Sequence, residues 1–489
     1  MNISHLQEPL LEFGRDTHID VRFGIAQYFP FDKDQDTAPS AIRIGLIGTS
    51  ESIEALSHWL ETAANGVAGK TSPRVNFHPA FPGFTEDSCF GARLVTDARW
   101  TGALSQNDID ALLAEPPTSI VSSAVDSFVD IIRRQLGNNS LDVVICAPPA
   151  DLLEALDAAV ARKATVSGDS IDDSADEEDG AKGPLPPPFH DLLKARGMSL
   201  GVPLQMVRPP TYGARSKKGS DTPARASLQD EATRVWNFFT ALYYKAGGIP
   251  WRLVRDPSSF ASCFAGISFF KSLDGERMLT SVAQVFNERG EGIIVRGAEA
   301  QKTAVDRQPH LNEQDAYSLI KTAIDTYRTE HRHTPARLVV HKTSNYALGE
   351  MEGITKAARE HDIELVDLIT LVPSNTRLFR MGINPPLRGT LLNLSTDRSI
   401  LYLRGSVGFF EMYPGMYVPR ALEIRIARAE STMLQIASEI LALSKLNWNN
   451  TQFDGGEPIT VRAARQVGDI LKCLPKESDT FQRGFRFYM

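Results

Sequence analysis

Residues 262–270, with the sequence SCFAGISFF, give the clearest indication of how the second half of the chain folds. A short, nearly continuous apolar run of this kind is typical of a buried strand. Two more strand-like segments follow, at Leu279–Asn287 and Gly292–Arg296. A helical segment, Asn312–Glu330, then leads to another apolar run at Arg337–His341. The second half therefore starts with three strands of hairpin character and continues as alternating helices and strands.

This order of elements is that of an RNase H-like fold, which we predict for residues 256–489. The remaining predicted elements of this half are a helix at Glu350–His361, strands at Ile363–Val372, Arg377–Met381, Thr390–Leu394 and Ser399–Leu403, and closing helices at Arg428–Lys445 and Thr460–Leu474.

The first half has the pattern of a parallel α/β sheet. Its predicted strands are Ala41–Gly48 (AIRIGLIG), Arg74–His78, Leu141–Ala147 (LDVVICA) and Val202–Val207, and its predicted helices are Glu51–Ala64, Ser119–Leu136, His190–Arg196 and Glu231–Lys245. Strands that alternate with helices predict a Rossmann-like domain, here over residues 41–255. Gly247, Gly248 and Pro250 should end the last of these helices.

Two segments depart from these patterns. Residues 1–40 show no sustained period, and we interpret them as an N-terminal arm that packs on the body or on a partner. Residues 165–188 are acidic and then rich in Gly and Pro, a composition that buries too little apolar surface to become ordered. We therefore expect a disordered loop there.

Composition excludes several classes of protein. The net charge of the 489 residues is −8, and it is −1 without the seven acids of residues 169–179, so a strongly basic, histone-like binder is excluded. The four cysteines have no CxxC spacing, which argues against a disulfide framework or a cysteine zinc module. No apolar stretch is long enough to span a bilayer, so we expect a cytoplasmic protein without a membrane partner.

The predicted catalytic positions of the RNase H-like half carry no carboxylate. Nucleases of this fold hold two divalent metals with about four carboxylates. The central strand instead carries Ser268, and Thr343 follows the strand that ends at His341. Hydroxyl groups do not replace the carboxylates that Mg²⁺ requires, so we expect no catalytic residue at this site.

Four polar residues of the first half are placed to converge. His190 and Lys194 are four residues apart and share one helix face. Gln205 lies on the next predicted strand, and Lys245 ends the next long helix. Each of these residues alone has an ordinary structural explanation. Together with the terminator AGGIPW at residues 246–251, they indicate a specific pocket.

These features resemble a short prokaryotic Argonaute, which has MID and PIWI domains and lacks N and PAZ domains. The resemblance covers about residues 5–489. It is carried by His190-x-x-x-Lys194, Gln205 in PLQMV and Lys245 in YYKAGGIPW. Further support comes from CFAGISFF, LVVHKTSN, RGTLLNLS and LNWNNTQF, and from the end of the chain in FRFYM.

The resemblance implies a pocket for the 5′ end of a guide strand. Lys194, Gln205 and Lys245 would bind the 5′ phosphate, and the ring of His190 would stack on the first base. A Mg²⁺ ion would bridge the phosphate and the carboxyl-terminal carboxylate, here that of Met489. Arg388, Arg404 and Arg420, which flank strand-like runs, are candidates for contacts with nucleic-acid phosphates.

The resemblance also implies a biological role in defence. The protein would bind a guide RNA and recognise a complementary single-stranded DNA target, from a plasmid or phage, without cutting it. Target recognition would activate an APAZ-containing effector protein with a TIR, sirtuin-like or nuclease domain, and NAD depletion or nucleic-acid loss would follow.

Three alternatives stay open at this stage. An active nuclease would draw its carboxylates from elsewhere, such as Asp274, Glu276, Glu288 or Glu291. An α/β enzyme acting on a small phosphate-bearing molecule would carry no oligonucleotide. A structural scaffold for a partner would need no intact phosphate pocket.

Overall fold

The structure, a computed structural model, describes most of the chain. The described residues are 2–137, 140–166, 187–213, 229–254, 260–273, 275–286, 292–295, 297–302, 306–381, 385–413, 418–453, 455–474 and 482–489. The predicted disordered loop therefore lies almost entirely outside the described residues.

The N-terminal arm has more regular structure than its sequence predicts. Its elements are β1 (Asn2–His5), β2 (Leu11–Glu12), β3 (Thr17–His18) and α1 (Val21–Tyr28). β1 pairs with a strand of the second half, whereas β2 pairs with Arg252–Leu253 at the end of the first half. The arm thus packs on both halves of the body.

A parallel sheet with flanking helices forms the first half, as predicted. Its elements are β4 (Ala41–Thr49), α2 (Ser50–Ala64), β5 (Arg93–Val95), β6 (Thr101–Leu104), α3 (Gln106–Leu113), α4 (Ile120–Leu136), β7 (Val143–Ala147), α5 (Ala150–Val166), α6 (Phe189–Gly197), β8 (Leu204–Met206), α7 (Glu231–Lys245) and β9 (Arg252–Leu253). The sheet order is β5-β4-β7-β8 with β6 beside β4, and all four of these pairings are parallel.

One predicted strand of this half is wrong. Residues Val75–Phe77 form a short 3₁₀ helix instead, and none of the three is buried. The sequence predicts a buried strand here, but Val75 is 71% exposed, and within the described residues no strand pairs with this segment.

The second half is built on a large mixed sheet. Its elements are β10 (Ser262–Lys271), β11 (Met278–Phe286), β12 (Gly292–Val295), β13 (Glu299–Lys302), β14 (Pro309–His310), α8 (Glu313–His331), β15 (Arg337–Lys342), α9 (Leu348–Arg359), β16 (Leu365–Ser374), β17 (Thr390–Asn393), β18 (Arg398–Leu401), β19 (Ala421–Arg428), α10 (Met433–Leu443) and α11 (Ile459–Leu471). The order is β1-β17-β18-β19-β16-β15-β10-β11-β13-β14, with β12 beside β11. The central strands β10, β15 and β16 are parallel, and β11 runs antiparallel to β10, so the predicted RNase H-like fold is confirmed.

Two elements in this half differ from the sequence prediction, because one predicted strand is absent and one strand, β19, was not predicted. Residues 377–381 form no strand. The segment before the predicted helix Arg428–Lys445 is β19, whose sequence ALEIRIAR alternates apolar and polar residues. Because Leu422 and Ile424 bury their side chains in the core, this period of two favours a strand over a helix.

A shared core joins the two halves. Trp236 and Tyr243 of α7 belong to the same buried cluster as Trp448 of the second half. The last residues of the chain enter this cluster through Phe485, Phe487 and Met489. The carboxyl-terminal segment is therefore held between the two sheets, next to the end of α7.

Candidate nucleic-acid interface

The predicted pocket residues converge where α6, β8, α7 and the carboxyl-terminal segment meet. Lys245 Nζ donates a hydrogen bond of 2.6 Å to Gln205 Oε1. Lys194 Nζ donates to the main-chain oxygen of Met489. His190 lies close enough that the charges of Lys194 and Lys245 both act on its ring. The structure thus brings together all five residues predicted for this pocket.

Local sequence explains the position of each lysine. In α6, Phe189, Leu192 and Leu193 bury one face in the core, and His190 and Lys194 lie four residues apart on another. The helix α7 ends at Lys245, and Gly247 follows with a φ of 104°. A Cβ atom at Gly248 would lie 2.2 Å from the ring of Tyr243, so only glycine lets the backbone pass this close to that ring.

Both lysines are almost completely buried, which makes their positive charge costly. Lys194 is 4% exposed and Lys245 is 1% exposed. Desolvation lowers the pKa of Lys194 to about 7. Desolvation, together with repulsion from Lys194, lowers the pKa of Lys245 well below its ordinary value. A bound anion would restore both charges, so the pocket is electrostatically suited to a phosphate.

His190 differs from the lysines because its side chain is 41% exposed. Its Nδ1 lies 2.9 Å from Asp191 Oδ1, which holds the ring in one orientation. Desolvation nevertheless lowers the pKa of His190, so the ring is neutral at pH 7. A neutral, oriented ring is suited to stacking on a base.

The main-chain oxygen of Met489, which accepts a hydrogen bond from Lys194, is the oxygen of this pocket to which a metal would bind. Among the described residues, no group of three or more His, Cys, Asp or Glu side chains is arranged to hold a metal ion. Mg²⁺ often binds through one carboxylate, phosphate oxygens and waters, so a single protein carboxylate beside a phosphate suits it. The donor set is therefore compatible with Mg²⁺ only when an anion shares the pocket.

A groove of about 1510 Å³ runs between the two halves and is strongly basic. Its cationic side chains are Arg22, Lys70, Arg377, Arg404, Arg420, Arg462 and Arg465. Its acidic side chains are Asp230 and Glu457, and aromatic rings such as Phe77 and Phe410 lie between the charges. Cationic and aromatic groups together suit a nucleic-acid backbone and its bases.

Two of the three predicted phosphate contacts line this groove. Arg420 is exposed there, and Arg404 lines the same wall. The Nε atom of Arg404 is buried and has no hydrogen-bond partner within the described part of the chain. Such an unpaired donor favours an anionic ligand.

The predicted contact of Arg388 with nucleic-acid phosphates is wrong, because its side chain lies in the protein interior. Its Nε donates to both carboxylate oxygens of Glu8, at 3.1 and 3.0 Å. Its Nη atoms donate to the main-chain oxygens of Leu403 and Leu441 and to Ser444 Oγ. This buried network attaches the N-terminal arm to the second half, so Arg388 has a structural role.

Ser268 lies within β10, next to Thr343, which directly follows β15. The amide of Thr343 donates to the carbonyl of Ile267 at 3.3 Å. Both residues line a cleft of about 220 Å³, which shares Glu457 and Arg465 with the large groove. Of the acids that an active nuclease might use instead, Asp274, Glu288 and Glu291 lie outside the described residues, and Glu276 is exposed near the turn between β10 and β11.

The sequence analysis missed several groove residues. Arg462 and Arg465 are three positions apart on α11, a spacing that places both on one face of a helix. That signal was present in the sequence. The contributions of Arg22 and Lys70 were not visible there, because they depend on how the first 80 residues pack against the second half.

Comparison with known proteins identifies the fold. No protein-family model and no curated protein matches the chain. Among solved structures, Clostridium butyricum Argonaute bound to a guide DNA and a 19-mer target DNA matches with a TM-score of 0.60 at 15% identity, over 97% of this chain and 53% of that one. A. aeolicus Argonaute matches with a TM-score of 0.56 at 13% identity, and Aa-Ago with externally bound siRNA matches with a TM-score of 0.57 at 15% identity.

The A. aeolicus Argonaute and Aa-Ago matches each cover 96% of this chain and 53% of the matched chain. This chain therefore spans about half the length of the structures that it matches. None of the described helices is long and apolar enough to cross a membrane. The fold of this chain is that of the MID and PIWI domains of Argonaute proteins.

Proposed function

We propose that this protein binds a 5′-phosphorylated guide RNA and uses it to recognise a complementary single-stranded DNA target without cleaving that target. The observation that carries the proposal is the pair of buried lysines, Lys194 and Lys245, whose pKa values are lowered by burial in one pocket. A dianionic 5′ phosphate would favour the charged form of both lysines.

In this proposal Lys194, Lys245 and Gln205 hold the phosphate, and His190 stacks on the first base. Each charge-assisted hydrogen bond contributes about 1.5–3 kcal/mol, so the phosphate selects guides by their 5′ end. The carboxyl-terminal group of Met489 would share a Mg²⁺ ion with the phosphate. The metal would neutralise charge there, and Lys194 would then turn from Met489 to the phosphate.

The basic groove would hold the duplex of guide and target. Its arginines contact phosphates irrespective of sequence, which leaves sequence recognition to base pairing. Arg404 and Arg420 remain our candidates for such contacts, whereas Arg388 is no longer a candidate, because its side chain is buried.

We propose that the protein does not cleave its target because, by the resemblance, Ser268 and Thr343 would stand where an RNase H-like nuclease needs metal-binding carboxylates. The alternative is an active nuclease with acids from elsewhere. Incubation of guide-loaded protein with end-labelled target and Mn²⁺ distinguishes the two, because guide-directed cleavage at one position would refute the inactive reading.

The resemblance to short Argonautes also leads us to propose a partner. That partner is an APAZ-containing effector with a TIR, sirtuin-like or nuclease domain, which target recognition would activate. The outcome would be cytoplasmic defence against plasmids or phages through loss of NAD or nucleic acid.

The direct test is to purify the protein from its host and end-label any bound nucleic acid, with and without prior phosphatase treatment. Short 5′-phosphorylated oligonucleotides that are sensitive to RNase support the proposal, and sensitivity to DNase alone would correct the guide to DNA. A preparation free of oligonucleotide, even with the neighbouring gene co-expressed, would favour a small-molecule enzyme or a scaffold.

A further inference from the structure

A buried acid of the N-terminal arm, Asp32, contacts the end of the helix that carries Lys245. From this geometry we infer that Asp32 is a positioning residue of the phosphate pocket, because it holds the turn after α7 and thereby sets where Lys245 presents its ammonium group. The inference rests on the proposed function, since a phosphate has to bind at Lys245. It gives the N-terminal arm a part in guide binding.

The hydrogen bonds of Asp32 are the first observation. Asp32 is 0% exposed. Its Oδ1 accepts a hydrogen bond of 2.8 Å from the hydroxyl of Tyr243, and its Oδ2 accepts one of 2.8 Å from the main-chain N–H of Ile249. Tyr243 lies two positions before Lys245, and Ile249 lies four positions after it. One carboxylate therefore links the last turn of α7 to the chain that leaves the helix.

The burial of this carboxylate makes its two hydrogen bonds important. Desolvation raises the pKa of Asp32, and the hydrogen bonds from Ile249 and Tyr243 offset part of that effect. A buried carboxylate that loses a donor pays the full cost of its desolvation. The turn therefore moves away from Asp32 only at a large cost in free energy, which keeps the turn in one position.

The backbone of the turn is the second observation. Gly247 adopts a φ of 104°, and Gly248 passes close to the ring of Tyr243. Two successive glycines make this path possible, but they also leave the free chain many conformations, so outside contacts have to select one. The arm supplies a main-chain contact as well, because the N–H of Phe31 donates to the carbonyl of Pro250 at 3.1 Å. The arm thus holds the turn through both its side chain and its backbone.

Substitutions test this arrangement through the preference for a 5′ phosphate. The affinity of the full chain for one oligonucleotide is measured with a 5′ phosphate and with a 5′ hydroxyl, well below the melting temperature. Asp32→Ala should lower the ratio of the two affinities about tenfold. Asp32→Asn should keep the ratio near the wild-type value, because its amide oxygen can accept from Ile249 and its amide nitrogen can donate to the hydroxyl of Tyr243. Tyr243→Phe removes one hydrogen bond and should lower the ratio about threefold, which keeps the test available if Asp32→Ala does not fold.

Two comparisons separate positioning from general stability. Glu8 is another acid of the arm, but its cationic partners are Arg388 and Lys445, which are not pocket residues. Glu8→Gln should therefore lower Tm and leave the affinity ratio unchanged. In a protein that already carries Lys245→Ala, Asp32→Ala should cause no further loss of the ratio, because Asp32 acts through Lys245.

The outcomes distinguish this inference from the proposed function. An unchanged ratio in Asp32→Ala and Tyr243→Phe, together with a reduced ratio in Lys245→Ala, overturns the inference alone. An equal loss in Asp32→Asn and Asp32→Ala also overturns it, because the charge of the carboxylate would then be responsible rather than its hydrogen bonds. If the wild type itself shows no preference for a 5′ phosphate, the proposed function fails and the inference fails with it.

Discussion

Lys194 Nζ donates a hydrogen bond to the main-chain oxygen of Met489, although 295 positions separate the two residues. The contact joins a helix of the first half to the last residue of the second half. It therefore makes the pocket a product of both halves, and neither half alone would hold it. Lys245, on the adjoining helix end, completes the site through Gln205.

Loss of both lysines should abolish the preference for a 5′ phosphate. In Lys194→Ala/Lys245→Ala, at least two charge-assisted hydrogen bonds of about 1.5–3 kcal/mol each disappear, so affinity for a 5′-phosphorylated guide should fall about 100-fold or more. Affinity for the same oligonucleotide with a 5′ hydroxyl should change little. Lys321→Ala is the control, because Lys321 is a partly exposed lysine paired with Glu360. Unchanged guide retention in the double variant would show that the pocket is assigned wrongly.

The guide-free protein should become more stable when Lys245 is replaced by Met. Burial lowers the pKa of Lys245 well below its ordinary value of 10.5, so its charge opposes folding below that pH. Each kcal/mol gained should raise Tm by roughly 1 °C in a chain of 489 residues, because the entropy of unfolding grows with chain length. The difference from wild type should shrink as the pH rises toward 10.5, since the lysine of the unfolded chain then also becomes neutral. Thermal melts at several pH values measure this, and a lower Tm at neutral pH would contradict it.

Binding of a phosphorylated guide should depend on pH in a defined direction. The pKa of Lys194 is lowered to about 7, so the charged form that a phosphate requires is lost as the pH rises above that value. Below about pH 6 the phosphate itself takes up a proton. The affinity ratio of 5′-phosphate to 5′-hydroxyl guides should therefore be greatest near pH 6–7 and decline on both sides. A ratio that stays flat from pH 6 to about pH 9 would show that neither lysine titrates on binding.

Much of the fold could be read from the sequence because its signals are local. Apolar runs such as 41–48 and 262–270 identify buried strands, and the order of the elements then limits the topology. The pocket was predictable for a related reason: His190 and Lys194 are neighbours on one helix turn, and Gly247 ends the helix that carries Lys245.

Arg388 shows where sequence reasoning stops. Its carboxylate partner is Glu8, which is 380 positions away in a segment without a clear period. Nothing local distinguishes Arg388, which is buried in that network, from Arg404, which lines the groove. The same reason hid the pairing of β1 with β17, because an edge strand of four residues has too few positions to show a pattern.

The proposed role of a carboxyl-terminal carboxylate at Met489 can be tested without changing any side chain. Met489 is buried, and residues added after it would convert its carboxylate into an amide and would need space inside the pocket. A short Gly-Ser tail at this end should lower the affinity for 5′-phosphorylated guides about tenfold and should reduce the effect of Mg²⁺ on binding. Met489→Leu keeps the carboxylate and should bind normally. If the tailed protein binds with normal affinity and normal Mg²⁺ dependence, Met489 is not part of the phosphate site.

Arg388 and Arg404 should respond to substitution in opposite ways. Arg388→Ala leaves Glu8 with Lys445 alone as its cationic partner, and the loss of one partner from a buried ionic network costs about 3–5 kcal/mol. Its Tm should therefore fall by several degrees, whereas target affinity at low temperature should stay normal. Arg404→Ala should leave Tm nearly unchanged, weaken target binding severalfold, and lower the salt slope by about 0.7–0.9. Calorimetry and a salt titration of target binding on both variants make the comparison. If fully folded Arg388→Ala binds the target more weakly than the wild type does, Arg388 would again be a candidate for contacts with nucleic acid.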